Sequence, residues 1–182
     1  MTYLRGEDVR AVANEIIAAH PDVRLTNLSL QKVIYFLHGQ YLLSTQTPLV
    51  SGYFEAWEFG PVHPTLYGAL RHLGSRPVDQ LIQRKSIHSG KWECVPPILD
   101  ANVQTFVLES SRSLVQLSAR QLVDLSHARN SPWDIATRCG QRRTWGLRLD
   151  NDLISMHFKH HKRSVTDFVY GDIFEEYPPS GD

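Results

Sequence analysis

Long hydrophobic runs, cysteine pairs, glycine-rich loops and net charge are all missing from this 182-residue chain, and each absence removes a class of protein. No stretch approaches the roughly 20 apolar residues of a transmembrane helix, and the opening MTYLRGEDVR has no apolar core of signal-peptide length. The expectation is a soluble cytoplasmic domain with no membrane partner. The two cysteines, Cys94 and Cys139, lie far apart and fit neither a disulfide framework nor a zinc spacing. They suit a reducing compartment and read as ordinary apolar fillers. Gly6, Gly39, Gly52 and Gly60 stand alone, so no loop cradles a phosphate. Lys plus Arg and Asp plus Glu stand at 19 each, leaving no global field to attract nucleic acid.

What is there is a folded domain's share of apolar residues, 42%, arranged mostly with helical period. Val9, Val12, Ala13, Ile16 and Ile17 draw one stripe, which Pro21 stops. Thr26 or Asn27 caps a second helix, with a stripe of Leu30, Val33, Ile34, Leu37 and Tyr41. The aromatic run from Tyr53 to Phe59 lacks that period and predicts a short strand or extended arm, broken by Gly60-Pro61-Val62. Pro64 opens a short helix through Leu66, Leu70 and Leu73, and Gly74 closes it. Ser86–His88 and Trp92–Val95 predict a small hairpin. Asp100 caps a helix carrying Val103, Phe106, Val107, Leu114 and Leu117. Ser118 with Gln121 forms a capping box for the next, and Ser131, Pro132 and Asp134 start another. The fold class is therefore mainly α: a compact helical domain over 1–163 with a short extended arm or small β element, then a tail over 164–182.

That boundary follows charge. Residues 138–163 hold seven basic residues against Asp150 and Asp152, a net of +5. Residues 164–182 hold five acids and no base, a net of −5, punctuated by large apolar side chains. Exposing such side chains is unfavourable, so the tail is expected to dock. Its target is the chain's own basic stretch or a partner, including a second copy in a homodimer. Phe168, Tyr170, Phe174 and Tyr177 are the expected contact residues.

Catalytic and metal chemistry find little support. His157, His160 and His161 crowd together, but lysines and arginines stand beside them in place of carboxylates or thiols, which reads as a solvated basic stretch and no metal site. Ser126-His127 cannot be a nucleophile–base pair unaided, because adjacent helical residues point in different directions. His127, near a helix junction, reads as structural; a transferase or hydrolase using it is the rival from another class. No cofactor is expected.

Three signatures carry a family resemblance. Leu28-Ser29-Leu30-Gln31-Lys32-Val33-Ile34-Tyr35-Phe36-Leu37-His38-Gly39 resembles the opening of the Panacea domain of SocA-type and phage GepA-like proteins. Pro48-Leu49, Glu55–Val62, Pro64 and Tyr67 resemble its second signature. Leu122 through Ser126-His127 to Ser131-Pro132-Trp133 is similar to the third, with Ser126 where the family commonly has threonine. Ile154 with His157-Phe158 is a weaker echo, and nothing after Phe158 matches. The resemblance implies a mainly helical antitoxin that neutralises a cognate protein toxin by direct binding. For SocA-type members it implies instead delivery of the toxin to an AAA+ protease. Leu30, Gln31, Lys32, Tyr35, Phe36, Trp57, Gly60, Pro61, Val62, His127, Pro132 and Trp133 are then family-motif residues. Their types point to a shared scaffold: Trp57 and Trp133 as buried anchors, Gly60-Pro61 as a turn, Pro132 as a helix start.

Overall fold

The computed structural model describes residues 6–138 and 146–161. Cys139 and the tail, with its expected contacts Phe168, Tyr170, Phe174 and Tyr177, lie outside the described residues. The helices begin where capping chemistry puts them. Asp8 accepts from the Arg10 N–H ahead of α1 (Val9–Ala19). Thr26 and Ser29 cap each other's backbone at the head of α2 (Asn27–Thr45). Pro64 opens α3 (Pro64–Leu70), which tightens into a 3-10 turn ending at Gly74. Asp100 takes two backbone donors of α4 (Ala101–Leu114), and the Ser118–Gln121 box opens α5 (Ala119–Ser126). Pro132 leads α6 (Pro132–Arg138), and Asp150 caps α7 (Asn151–His157). Each side-chain cap satisfies N–H groups that have no carbonyl one turn back.

The second helix departs from the expected stripe. From Asn27 to Gly39 every residue of α2 is buried, because α1, α3, α4, α5 and α7 all pack on it. Gln31 and Lys32, polar though they are, are sealed inside. A helix enclosed on all sides has no polar face to display.

The strands also differ from expectation. β1 (Phe54–Trp57) pairs antiparallel with β2 (Gly60–Val62), so Gly60-Pro61-Val62 continues the sheet instead of breaking it, and the reversal falls at Glu58-Phe59. Pro61 is tolerated because β2 is an edge of the three-stranded order β2-β1-β5, where a missing N–H breaks no ladder. β5 (Leu147–Leu149) closes the other side of β1. The hairpin predicted farther on exists, with its strands at β3 (Gln83–Lys85) and β4 (Trp92–Cys94) and residues 86–91 forming the turn. Asn14 fastens its root to α1, donating to Ile82 O at 3.0 Å and accepting from Ile82 N–H at 2.7 Å. Cys94 is exposed on this hairpin and is no core filler. Leu117 lies beyond the end of α4, though still packed on the core.

The close of the described chain is the largest correction. Phe158 is buried and His161 turns inward, so this part of the basic stretch is core and not a solvated surface. Phe158 lies so near Gly39 of α2 that a Cβ there would overlap its ring. Gly39→Ala should therefore lower stability by about 1–3 kcal/mol, the range for overpacking. Gly68→Ala, on an open face of α3 with nothing within 4 Å, should raise it by up to about 1 kcal/mol. Equal denaturation midpoints for the two variants would contradict this packing.

Candidate functional site

The three signatures, far apart in sequence, meet around the β1–β2 hairpin. From α2, Gln31 accepts the His63 N–H through Oε1 at 2.8 Å and donates to Asn27 Oδ1 at 3.4 Å. One residue on, Lys32 is 0% exposed and donates from Nζ to the Pro61 carbonyl at 3.2 Å. Burying an ammonium is costly unless polar partners meet it, and the carbonyl of an edge proline is one such partner. Gly60 permits the approach in two ways. Its φ of +102° is one that side chains avoid, and an added Cβ would strike Ser126 Oγ and come within 3.0 Å of Lys32 Cε. Leu30 and Val62 are fully buried beside it.

The α5–α6 turn holds the hairpin from the other side. Trp133 is 3% exposed and its Nε1–H donates to the Trp57 carbonyl at 2.8 Å. Trp57, 4% exposed, donates to Glu55 Oε2 at 2.7 Å and meets Tyr67 edge-on at 4.7 Å between ring centres. His127 closes α5 with its backbone and lays its ring flat on Trp133, 3.7 Å between centres at 19°. Ser131 fixes the turn: Oγ donates to Ser126 O at 3.1 Å and accepts from Asp134 N–H at 3.2 Å. Pro132 is buried at the first helical position. The Ser126 hydroxyl bonds to Val123 O at 2.8 Å within its own helix, and the His127 ring is committed to the indole, so the two do not form a nucleophile–base pair.

On another side of α2, Tyr35 and Phe36 join a cluster the sequence did not foretell. Tyr35 is fully buried, and its ring meets Phe36, Phe54, Phe158 and His161 at 5.4–6.0 Å. His161 lies 3.0 Å from Tyr35 Oη through Nε2 and 2.9 Å from Leu125 O through Nδ1. A carbonyl only accepts, so Nδ1–H donates to it and Nε2 accepts the Tyr35 hydroxyl. His161 thus takes up a carbonyl at the end of α5. Burial pushes the His161 pKa down to about 4, against the opposing pull of the Leu125 bond, and pushes the Tyr35 hydroxyl well above its usual value. His38 repeats the logic: Nδ1 accepts from Val50 N–H at 3.4 Å, Nε2–H donates to Asn151 Oδ1 at 2.9 Å, and burial lowers its pKa to about 4. His63, donating to Ser51 O at 2.9 Å, is also shifted down by burial. Their signal in the sequence was position alone, inside or beside apolar runs. With His161 turned inward, the three late histidines do not converge. Among the described residues no group of three or more His, Cys, Asp or Glu is placed to hold a metal ion. No helix there is long and apolar enough to cross a membrane.

With this geometry in place, the similarities to known proteins are specific. The family described as "Antitoxin SocA-like, Panacea domain" matches residues 30–134. That span contains the second and third signatures whole and the first from Leu30 onward. The curated "Antitoxin SocA" of Caulobacter vibrioides (strain NA1000 / CB15N) is 40% identical over 177 residues, covering 95% of this chain and 94% of that one. No solved structure matches.

The interlock predicts two energetic outcomes. Trp133→Ala removes the stack, the bond to Trp57 and a filled volume, and should cost about 3–5 kcal/mol. Trp133→Phe keeps most of the volume and should cost less, which urea denaturation can distinguish. The histidines predict acid sensitivity. Unfolded, His38 and His161 titrate near 6.5; folded, near 4. Between those values only the unfolded chain binds the protons, so stability is fully present above pH 6.5 and falls as pH drops towards 4. Each contributes roughly 3 kcal/mol to that loss. A denaturation midpoint that stays flat from pH 7.5 to 4.5, or a slope unchanged in His161→Gln, would contradict the neutral buried rings.

Proposed function

The chain belongs to the SocA-like antitoxin family of Panacea domains, and we propose that it neutralises a cognate protein toxin by direct binding. The observation that carries this reading is where the signature residues sit. Gln31, Lys32, Trp57, Gly60 and Trp133 are turned towards one another, so what the family signatures specify is an interior. The outer surface is left to choose a partner, and a scaffold of this kind can serve different toxins without new chemistry. His127 supports the same reading: its ring is stacked on Trp133, and the Ser126 hydroxyl beside it is bonded to Val123 O. The chain therefore works as a binding protein in the cytoplasm and not as an enzyme. Residues 164–182 belong to the binding equipment, with Phe168, Tyr170, Phe174 and Tyr177 as contact side chains.

Co-expression with the protein encoded by the neighbouring gene tests this, scored by growth and by copurification of the two chains. The intact chain should restore growth and hold the toxin in a complex. His127→Gln should lower thermal stability modestly yet still rescue growth at low temperature. Rescue without any complex would remove direct binding. Loss of rescue by His127→Gln at unchanged stability would restore the enzymatic reading.

A further inference from the structure

The β3–β4 hairpin presents one face to solvent. Strand side chains alternate, so the register Gln83↔Cys94, Arg84↔Glu93 and Lys85↔Trp92 puts Gln83, Lys85, Trp92 and Cys94 on one side. The Arg84–Glu93 ion pair, at 2.8 Å, occupies the other, half-buried side. Large apolar side chains stand open there: Trp92 is 68% exposed, Leu81 just before β3 is 57% exposed, and Ile87 in the turn is 98% exposed. Trp92 and Leu81 share a groove with Leu73 and His72. Exposed side chains of this size mark a contact surface. Around it stand cations. Lys85 faces Trp92 across the strands, and Lys91 precedes Trp92. Arg76 is held beside the groove by its bonds to Leu73 O and His72 O, at 3.2 and 3.1 Å. Asp79 is the one carboxylate lining that groove, and Glu93 is already paired with Arg84.

The chain carries the chemical complement of this surface in its own sequence. Residues 164–182 combine five carboxylates and no base with aromatic side chains such as Phe168, Tyr170 and Phe174. We propose that the cationic, apolar face of the β3–β4 hairpin is the docking surface for residues 164–182 of the same chain. Reach does not limit it, since the residues after His161 could span roughly 70 Å when extended, more than the width of such a domain. Of the described basic residues beside the tail, only Lys159 is both exposed and without a charge or ring contact among the described residues. Arg138 is paired with Asp134 at 2.7 Å, Arg148 sits 4.7 Å over the Tyr53 ring, and Phe158 is buried. The hairpin joins exposed lysines to open apolar side chains, so docking there would hide Trp92 and Ile87 while opposite charges attract. The inference does not depend on a toxin being the partner.

Carbodiimide coupling of the full-length chain tests it. The reagent joins a lysine amine to a carboxylate it touches, with loss of water, and mass spectrometry reads the pair. Lys85 and Lys91 should couple to Asp167, Asp172, Glu175 or Glu176. The yield should fall roughly tenfold, the effect of about 1.4 kcal/mol, in Ile87→Ser/Trp92→Ser, which keeps both lysines and alters only exposed side chains. Salt at 1 M, where screening shortens to about 3 Å, should lower it too. Coupling confined to Lys159 and Lys162, hairpin coupling that survives the double substitution, or no hairpin coupling overturns the proposal. Coupling that joins heavy-isotope chains to unlabelled ones in a mixture overturns it as well, by assigning the site to a second copy.

Discussion

The constraint on which the rest of the structure depends is the complete enclosure of α2 from Asn27 to Gly39. A helix buried on one stripe can send its polar side chains to water; one buried all round must satisfy each of them within the protein. Gln31 therefore reaches the backbone ahead of α3, Lys32 reaches the edge strand, His38 reaches α7 and Tyr35 reaches His161. Each bond ties a different neighbour to the same axis. The polar residues of α2 thus specify where the surrounding elements sit, while the apolar ones supply most of the driving force.

The hairpin β1–β2 is the second half of that arrangement, because it is gripped from two directions. Lys32 and Gln31 hold β2 and the residue after it, and the Trp133 indole holds the last residue of β1. Gly60 lets the grip close, since a side chain there would push α2 and α5 apart. This explains why residues so distant in sequence recur together as one signature: they are the parts of a single junction.

The local grammar of the chain was readable and the enclosed parts were not. Thr26, Asp100, Ser118, Pro64 and Pro132 announce helix starts because capping acts over three or four residues, and all of them open helices. The weight placed on Trp57 and Trp133 held for a similar reason: large aromatics beside turn residues are seldom left in water. Gly60-Pro61 misled because both residues usually end strands, and only an edge position makes them acceptable within one. His161 misled because its neighbours in sequence are basic and wet, whereas its neighbours in space, Tyr35 and Leu125, lie 126 and 36 positions away. Burial of a polar residue is decided by partners that a local pattern does not contain.

His161 also fixes a starting point. By bonding to the core on both ring nitrogens, it anchors the chain only three positions before residue 164. Whatever the later residues touch on the same molecule is met as a tethered ligand, whose effective concentration is set by the length of chain between anchor and contact. Even a weak intramolecular contact is then well occupied. An outside competitor for the same surface has to overcome that local concentration as well as the contact itself, so the anchor sets a threshold for partner exchange.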